Sequence, residues 1–232
     1  MKYLNLGFVA LLTIMIGLFP IAGLAPVAAQ ENDLGTLQDL LPPPANPDSP
    51  RSVSARIRVF DNILIHQLPV WSSYANGPAP AERSIIQTAT NNGVYRMKMA
   101  PADENFEDWT NLFSIVALNQ PNAPIQKQAE DVANYYRSIC SPSNMQMFRG
   151  NQSANRFVFV IVCGNYSRQR EIGQMAAVTI FQNRNVAVTL TRQWRGKAFQ
   201  SSIDTNWPVK KQEVDAVLKE LVRTRLVPIN SN

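Results

Sequence analysis

A single histidine, His66, and two cysteines, Cys140 and Cys163, are all that this 232-residue chain offers to chemistry built on imidazole or thiolate. A Ser-His-Asp or Cys-His set would have to use His66, which ends an alternating apolar stretch, and no Gly-x-Ser-x-Gly elbow accompanies it. The ten glycines are scattered singly, so neither Gly-x-Gly-x-x-Gly nor Gly-x-x-x-x-Gly-Lys occurs and phosphate cradles of those types are excluded. The cysteines lack Cys-x-x-Cys or Cys/His spacing, which removes the dithiol and zinc signatures. One carboxylate cluster exists, at Asp103, Glu104, Glu107 and Asp108. It sits in a polar stretch without the Asp-x-Asx-x-Asx-Gly calcium pattern, so it reads as a solvated turn, and no metal or cofactor is assigned. On these grounds the chain reads as no enzyme.

Charge is also scarce at the N-terminus. Lys2 is the only charged residue before Glu31, and residues 4–24 are apolar apart from Asn5, Thr13 and a few glycines. Val27-Ala28-Ala29 then places small residues at the −3 and −1 positions of a cleavage site before Gln30. Residues 1–29 therefore read as a secretory signal peptide, which makes the protein periplasmic or secreted. The rival is a retained anchor, since a spanning helix needs ~20 apolar residues; Pro20 and the small-residue exit favour cleavage. Membrane contact follows only if the segment is kept. Cleavage leaves 203 residues (232 − 29), enough for one sizeable core. Both cysteines then lie in the exported part, where the simplest expectation is a Cys140–Cys163 disulfide contributing ~3 kcal/mol by loop closure.

Residues 30–51 carry Leu34, Leu37, Leu40 and Leu41 at helical spacing, then Pro42-Pro43-Pro44, Pro47 and Pro50, an extended linker. The folded domain is expected over 52–228, with a tail at 229–232. Within it, Ile57, Val59, Ile63 and Ile65 alternate as a bent strand or a tight strand pair. Asn91-Asn92-Gly93 marks a turn before a strand with Tyr95, Met97 and Met99 on one face and Arg96 and Lys98 on the other. Residues 112–118 read as a further strand. Ile125, Ala129, Val132, Ala133, Tyr136, Ile139 and Cys140 form one helical stripe. A polar loop is expected over 141–155.

Phe157-Val158-Phe159-Val160-Ile161-Val162-Cys163 is the one continuous apolar run beyond the N-terminus, a strand buried on both faces. Residues 175–181 and 186–194, joined at Asn183-Arg184-Asn185, read as a β-hairpin. Val186, Val188, Leu190, Arg192 and Trp194 share one face of its second strand, with Thr189, Thr191 and Gln193 opposite. Val214, Val217, Leu218, Leu221 and Val222 give a last helix. The order predicts an α+β domain, an antiparallel sheet packed by two helices. With Phe106-Glu107-Asp108-Trp109-Thr110 ahead of a strand and 157–194 between the two helices, the plan resembles the Mog1/PsbP-like α+β fold. That fold hosts non-enzymatic assembly and accessory proteins as well as others.

Residues 30–136 hold 7 Lys and Arg against 12 Asp and Glu, whereas 137–232 hold 14 against 5. The basic half reads as solvated strand and helix faces, or as a surface for an acidic partner. Arg192-Gln193-Trp194-Arg195-Gly196-Lys197-Ala198-Phe199 is its densest mixture of cations and aromatics. It is either plain structure or a docking patch anchored on Arg192, Trp194, Arg195 and Lys197, with Trp109 and its acidic neighbours second. Nucleic acid ranks below both for an exported chain. The expectation is an exported, non-catalytic accessory protein binding an envelope or secretion-system partner. The alternative is a small-ligand carrier or enzyme with a cleft between sheet and helix.

Overall fold

The computed structural model describes residues 54–72, 83–119 and 124–229, all within one compact unit of the chain. The readings of 1–29 as a signal peptide and 30–51 as a linker lie outside these residues. Alternation at the start of the domain resolves into a hairpin, β1 (Ser54–Val59) and β2 (Asn62–Gln67), whose turn holds Phe60 at φ 54°. β3 (Ser84–Asn91) and β4 (Val94–Pro101) follow, joined where Asn92 and Gly93 both take positive φ, 48° and 72°. That pair of left-handed residues matches the right-handed twist of the strands it joins. β5 (Asn111–Leu118) and helix α1 (Ile125–Ile139) come next.

Residues 141–155 do not form the expected loop. After a short 3-10 turn they make β6 (Met145–Ser153), paired with β7 (Arg156–Cys163). β6 is an edge strand with one neighbour and a register shift between Arg149 and Gln152. Its outer half is wet, so Gln, Arg and Gly dilute the alternation that would have marked it. β8 (Ile172–Gln182), β9 (Ala187–Lys197), α2 (Lys211–Arg223) and β10 (Arg225–Pro228) complete the chain.

Seven strands form an antiparallel sheet in the order β3-β4-β5-β9-β8-β7-β6, and β1-β2-β10 form a second, three-stranded antiparallel sheet. The run at 157–163 is thus buried as expected, but second from an edge; β9 is the middle strand. Two layers cover the large sheet. On one face Val160, Val162, Met175, Ala177, Leu190 and Phe113 pack with α2 and the small sheet around Leu64, Val59 and Val217. On the other, α1 lays Ile125 and Tyr136 over Phe159, Ile161, Ala176 and Val178. The Cys140–Cys163 disulfide ties the end of α1 to the end of β7.

Arg156, just before the apolar run, closes α2 from below. Its guanidinium donates to the carbonyls of Leu221 (2.9 Å) and Thr224 and lies 4.6 Å over the Phe181 ring. The last carbonyls of a helix have no partner within it and carry partial negative charge, so a cation there is favourable.

Candidate ligand-binding cleft

α1 packs its apolar stripe over β7 and β8 and touches β9 through the Tyr136 hydroxyl at Gln193 (3.4 Å), so most of the same face of β9, β5 and β4 is left without a helix packed on it. Register makes that uncovered face polar. Lys98 stands opposite Ser114 and Ser114 opposite Thr191, with Leu112 opposite Gln193. One end is closed by residues 103–110, whose Trp109 packs with Leu112, Ala100, Ile85 and Phe106. The result is a cleft of about 780 Å³ between the uncovered floor, the C-terminal half of α1 and the loop after β7. Its walls include Phe106, Tyr135, Ile139 and Tyr166, and its cations are Lys98, Arg168 and Arg195.

Two side chains of the closing loop, Glu104 and Asn105, turn onto the loop's own backbone. Glu104 accepts from the Thr110 N–H (2.8 Å), the Thr110 hydroxyl and the Asn111 N–H (3.2 Å). Asn105 Oδ1 accepts from the N–H groups of Glu107 (2.8 Å) and Asp108 (2.7 Å). Among the described residues no group of three or more His, Cys, Asp or Glu side chains is placed to hold a metal ion. Arg195 then fastens the loop to the sheet, donating to the Glu107 carbonyl (3.1 Å) and lying 3.9 Å over the Trp109 ring.

A chain of amides and phenols crosses the floor. The Tyr166 hydroxyl donates to Gln174 Oε1. Gln174 Nε2 donates to the Tyr136 oxygen (3.1 Å) and to Gln193 Oε1 (2.9 Å), and Gln193 Nε2 donates to Ser114 Oγ (3.3 Å). Gln174 and Tyr136 are buried, and burial pushes both the Tyr136 and Tyr166 phenols up, although Arg195 pulls Tyr166 the other way. Phenols held in this way stay protonated and serve as fixed hydrogen-bonding groups.

The cation-rich octet is divided by the pleat of β9. Arg192 and Trp194 face α2 and are buried at 6% exposure each, so neither is open to a partner. Arg192 lies 4.6 Å over Phe113, donates to the Gln67 carbonyl (3.1 Å) and approaches Glu220 at 3.9 Å, stitching β9 to β2 and α2. Burial pulls its pKa down to about 10, with Glu220 and Glu213 opposing. Trp194 donates from Nε1 to Glu213 (3.2 Å). Arg195 takes the other face and lines the cleft, Lys197 is exposed beyond it, and Trp109 is buried at 5% as the plug of the loop. His66 is buried against Phe113 on the α2 side, with ring centroids 5.0 Å apart and away from the cleft.

Lys98, Tyr135, Gln174 and Gln193 escaped sequence reasoning as site residues. The one signal for them was the wet face of β4 together with the polar face of β9, and only strand order puts those two faces side by side across β5. No family model matches the chain, and no curated protein matches it in sequence. Among solved structures it is distantly similar to the Saccharomyces cerevisiae Ran-binding protein Mog1p, at 10% identity over 78% of this chain and 98% of that one, with a TM-score of 0.49, a likeness in plan.

Proposed function

We propose that the chain is an exported, non-catalytic binding protein, an accessory component of a cell-envelope or secretion assembly, and that it takes its partner on the cleft beside α1. Export rests on the signal-peptide pattern of residues 1–29, and the Cys140–Cys163 disulfide is compatible with an oxidising compartment. The observation that carries the binding role is the cleft floor. Its Tyr, Gln and Ser side chains are locked to one another in a directed hydrogen-bond chain, and its phenols are held protonated. Such a floor presents a rigid pattern for recognition.

The test is capture of the tagged mature protein from its native envelope after mild crosslinking at low salt, with identification of what accompanies it. A reproducible set of envelope or secretion proteins, lost in a Lys98→Glu/Tyr135→Ala variant and kept in Lys197→Glu, is the expected result. A monomeric protein with nothing attached overturns the accessory role. The second reading, a small-ligand carrier, is favoured by the cleft's volume, which lies in the range of small-molecule sites.

A further inference from the structure

Taking the cleft as the docking site, we infer that its occupant is an acidic, partly apolar segment of a partner polypeptide. The first observation is unbalanced charge. Lys98 and Arg168 are exposed and make no ion pair among the described residues, Arg195 Nε is buried without an acceptor, and the lining has no carboxylate. In the closing loop Glu104 is turned onto backbone N–H groups, and Asp103, Glu107 and Asp108 of that loop do not line the cleft.

The second observation is hydrogen-bond polarity. The floor chain runs in one direction, from Tyr166 through Gln174 and Gln193 to Ser114. Gln174 Oε1, Gln193 Oε1 and Ser114 Oγ each accept within it, and the Ser114 O–H and the second N–H of Gln193 remain as donors on the same floor as the Lys98 ammonium. Free donors beside a cation suit a carboxylate, which accepts charge-assisted hydrogen bonds.

The third observation is extent. Arg96 is exposed on the same face of β4 as Lys98, about 7 Å further along the strand. Arg168 stands on the loop side of the cleft, so positive charge is spread across the site instead of focused on one point. Phe106, Tyr135 and Ile139 supply apolar wall between the cations, and Tyr135 is 48% exposed. A segment with several carboxylates and interspersed apolar side chains matches this layout better than a single small anion.

The experiment measures fluorescence anisotropy of two dye-labelled peptides of equal length, one alternating Glu and Leu and the other Gln and Leu, titrated with the mature disulfide-bonded protein. Binding of the Glu-Leu peptide about tenfold tighter at low salt, eroded by added salt, is expected. Lys98→Glu and Arg168→Glu should each weaken it about 3- to 10-fold with unchanged thermal melts, while Lys197→Glu changes it less than about 2-fold. Equal binding of the two peptides, or indifference to both cleft reversals, overturns the inference. So does 3-phenylpropanoate displacing the peptide at the peptide's own affinity, which would make the occupant a small organic acid. Cleft-dependent envelope capture together with charge-indifferent peptides refutes this inference alone, whereas charge-selective peptide binding with empty capture refutes the accessory role alone.

Discussion

Stability between pH 6.5 and pH 4 should be governed in large part by one imidazole. His66 is 2% exposed and stacked on Phe113, its Nδ1 lies 3.0 Å from the Gln67 carbonyl, and its Nε2 has no partner. Burial lowers its pKa from 6.5 to about 4; the Gln67 carbonyl opposes that shift and the nearby Arg192 charge adds to it. The group is therefore neutral in the folded state over a range in which the unfolded chain has already taken up a proton. Because the folded pKa is depressed, the contribution is fully present above pH 6.5, is lost as pH falls toward 4, and changes no further below that. At about 1.4 kcal/mol per pKa unit, the 2.5-unit gap amounts to about 3 kcal/mol, a large share of a typical domain's stability. The perturbation is His66→Leu, and the assay is urea unfolding of both proteins across this window. The wild type should lose about 3 kcal/mol more than the variant, since carboxylates titrate alike in both. As the chain has one histidine, its ring proton also reports the folded pKa directly by NMR. Parallel pH slopes in the two proteins, or a ring titrating near 6.5 in the folded state, would refute the reasoning.

Three further outcomes are expected. Replacing both Cys140 and Cys163 by Ala should cost about 3 kcal/mol in denaturant unfolding, from the 23-residue separation that the bridge closes; an unchanged midpoint would contradict it. Arg156→Met keeps the stem against Phe181 but removes the guanidinium donor from the Thr224 carbonyl and one of the two donors to the Leu221 carbonyl, a loss of about 2 kcal/mol that should appear first as faster hydrogen exchange at the end of α2. Gly173→Ala places a methyl 2.6 Å from the Gly164 carbonyl oxygen and from the Phe199 ring, so it should destabilise by about 1 to 3 kcal/mol, read as a lowered Tm.

Local pattern was enough to determine much of this protein. Period-2 alternation and the Asn-Asn-Gly and Asn-Arg-Asn turns located β1, β2, β4 and the β8-β9 hairpin, and the 3.6-residue stripes located α1 and α2, because most of these elements bury one side against a core while β8, buried on both faces, is a short apolar run bounded by a turn. The α+β class and the single disulfide followed from element order and from a pair of cysteines. Two of the edge strands were not legible. β6 and β10 each pair on one side only and leave much of their length wet, so selection for apolar residues, the signal that marks a strand, is weak there.

The cleft needed more still. Nothing local in Lys98, Ser114, Gln174 or Gln193 joins them; they meet because β4, β5, β9 and β8 are neighbours in the sheet while the apolar stripe of α1 packs on β7 and β8. The same pleat that put Arg195 into the cleft turned Arg192 and Trp194 into the core, separating residues that are contiguous in the chain. Composition and periodicity fix which side chains share a face of one element, since that depends only on backbone geometry. Which faces are brought side by side, and which is left uncovered, depends on long-range pairing and on how far a helix reaches, and that the tertiary structure alone decided.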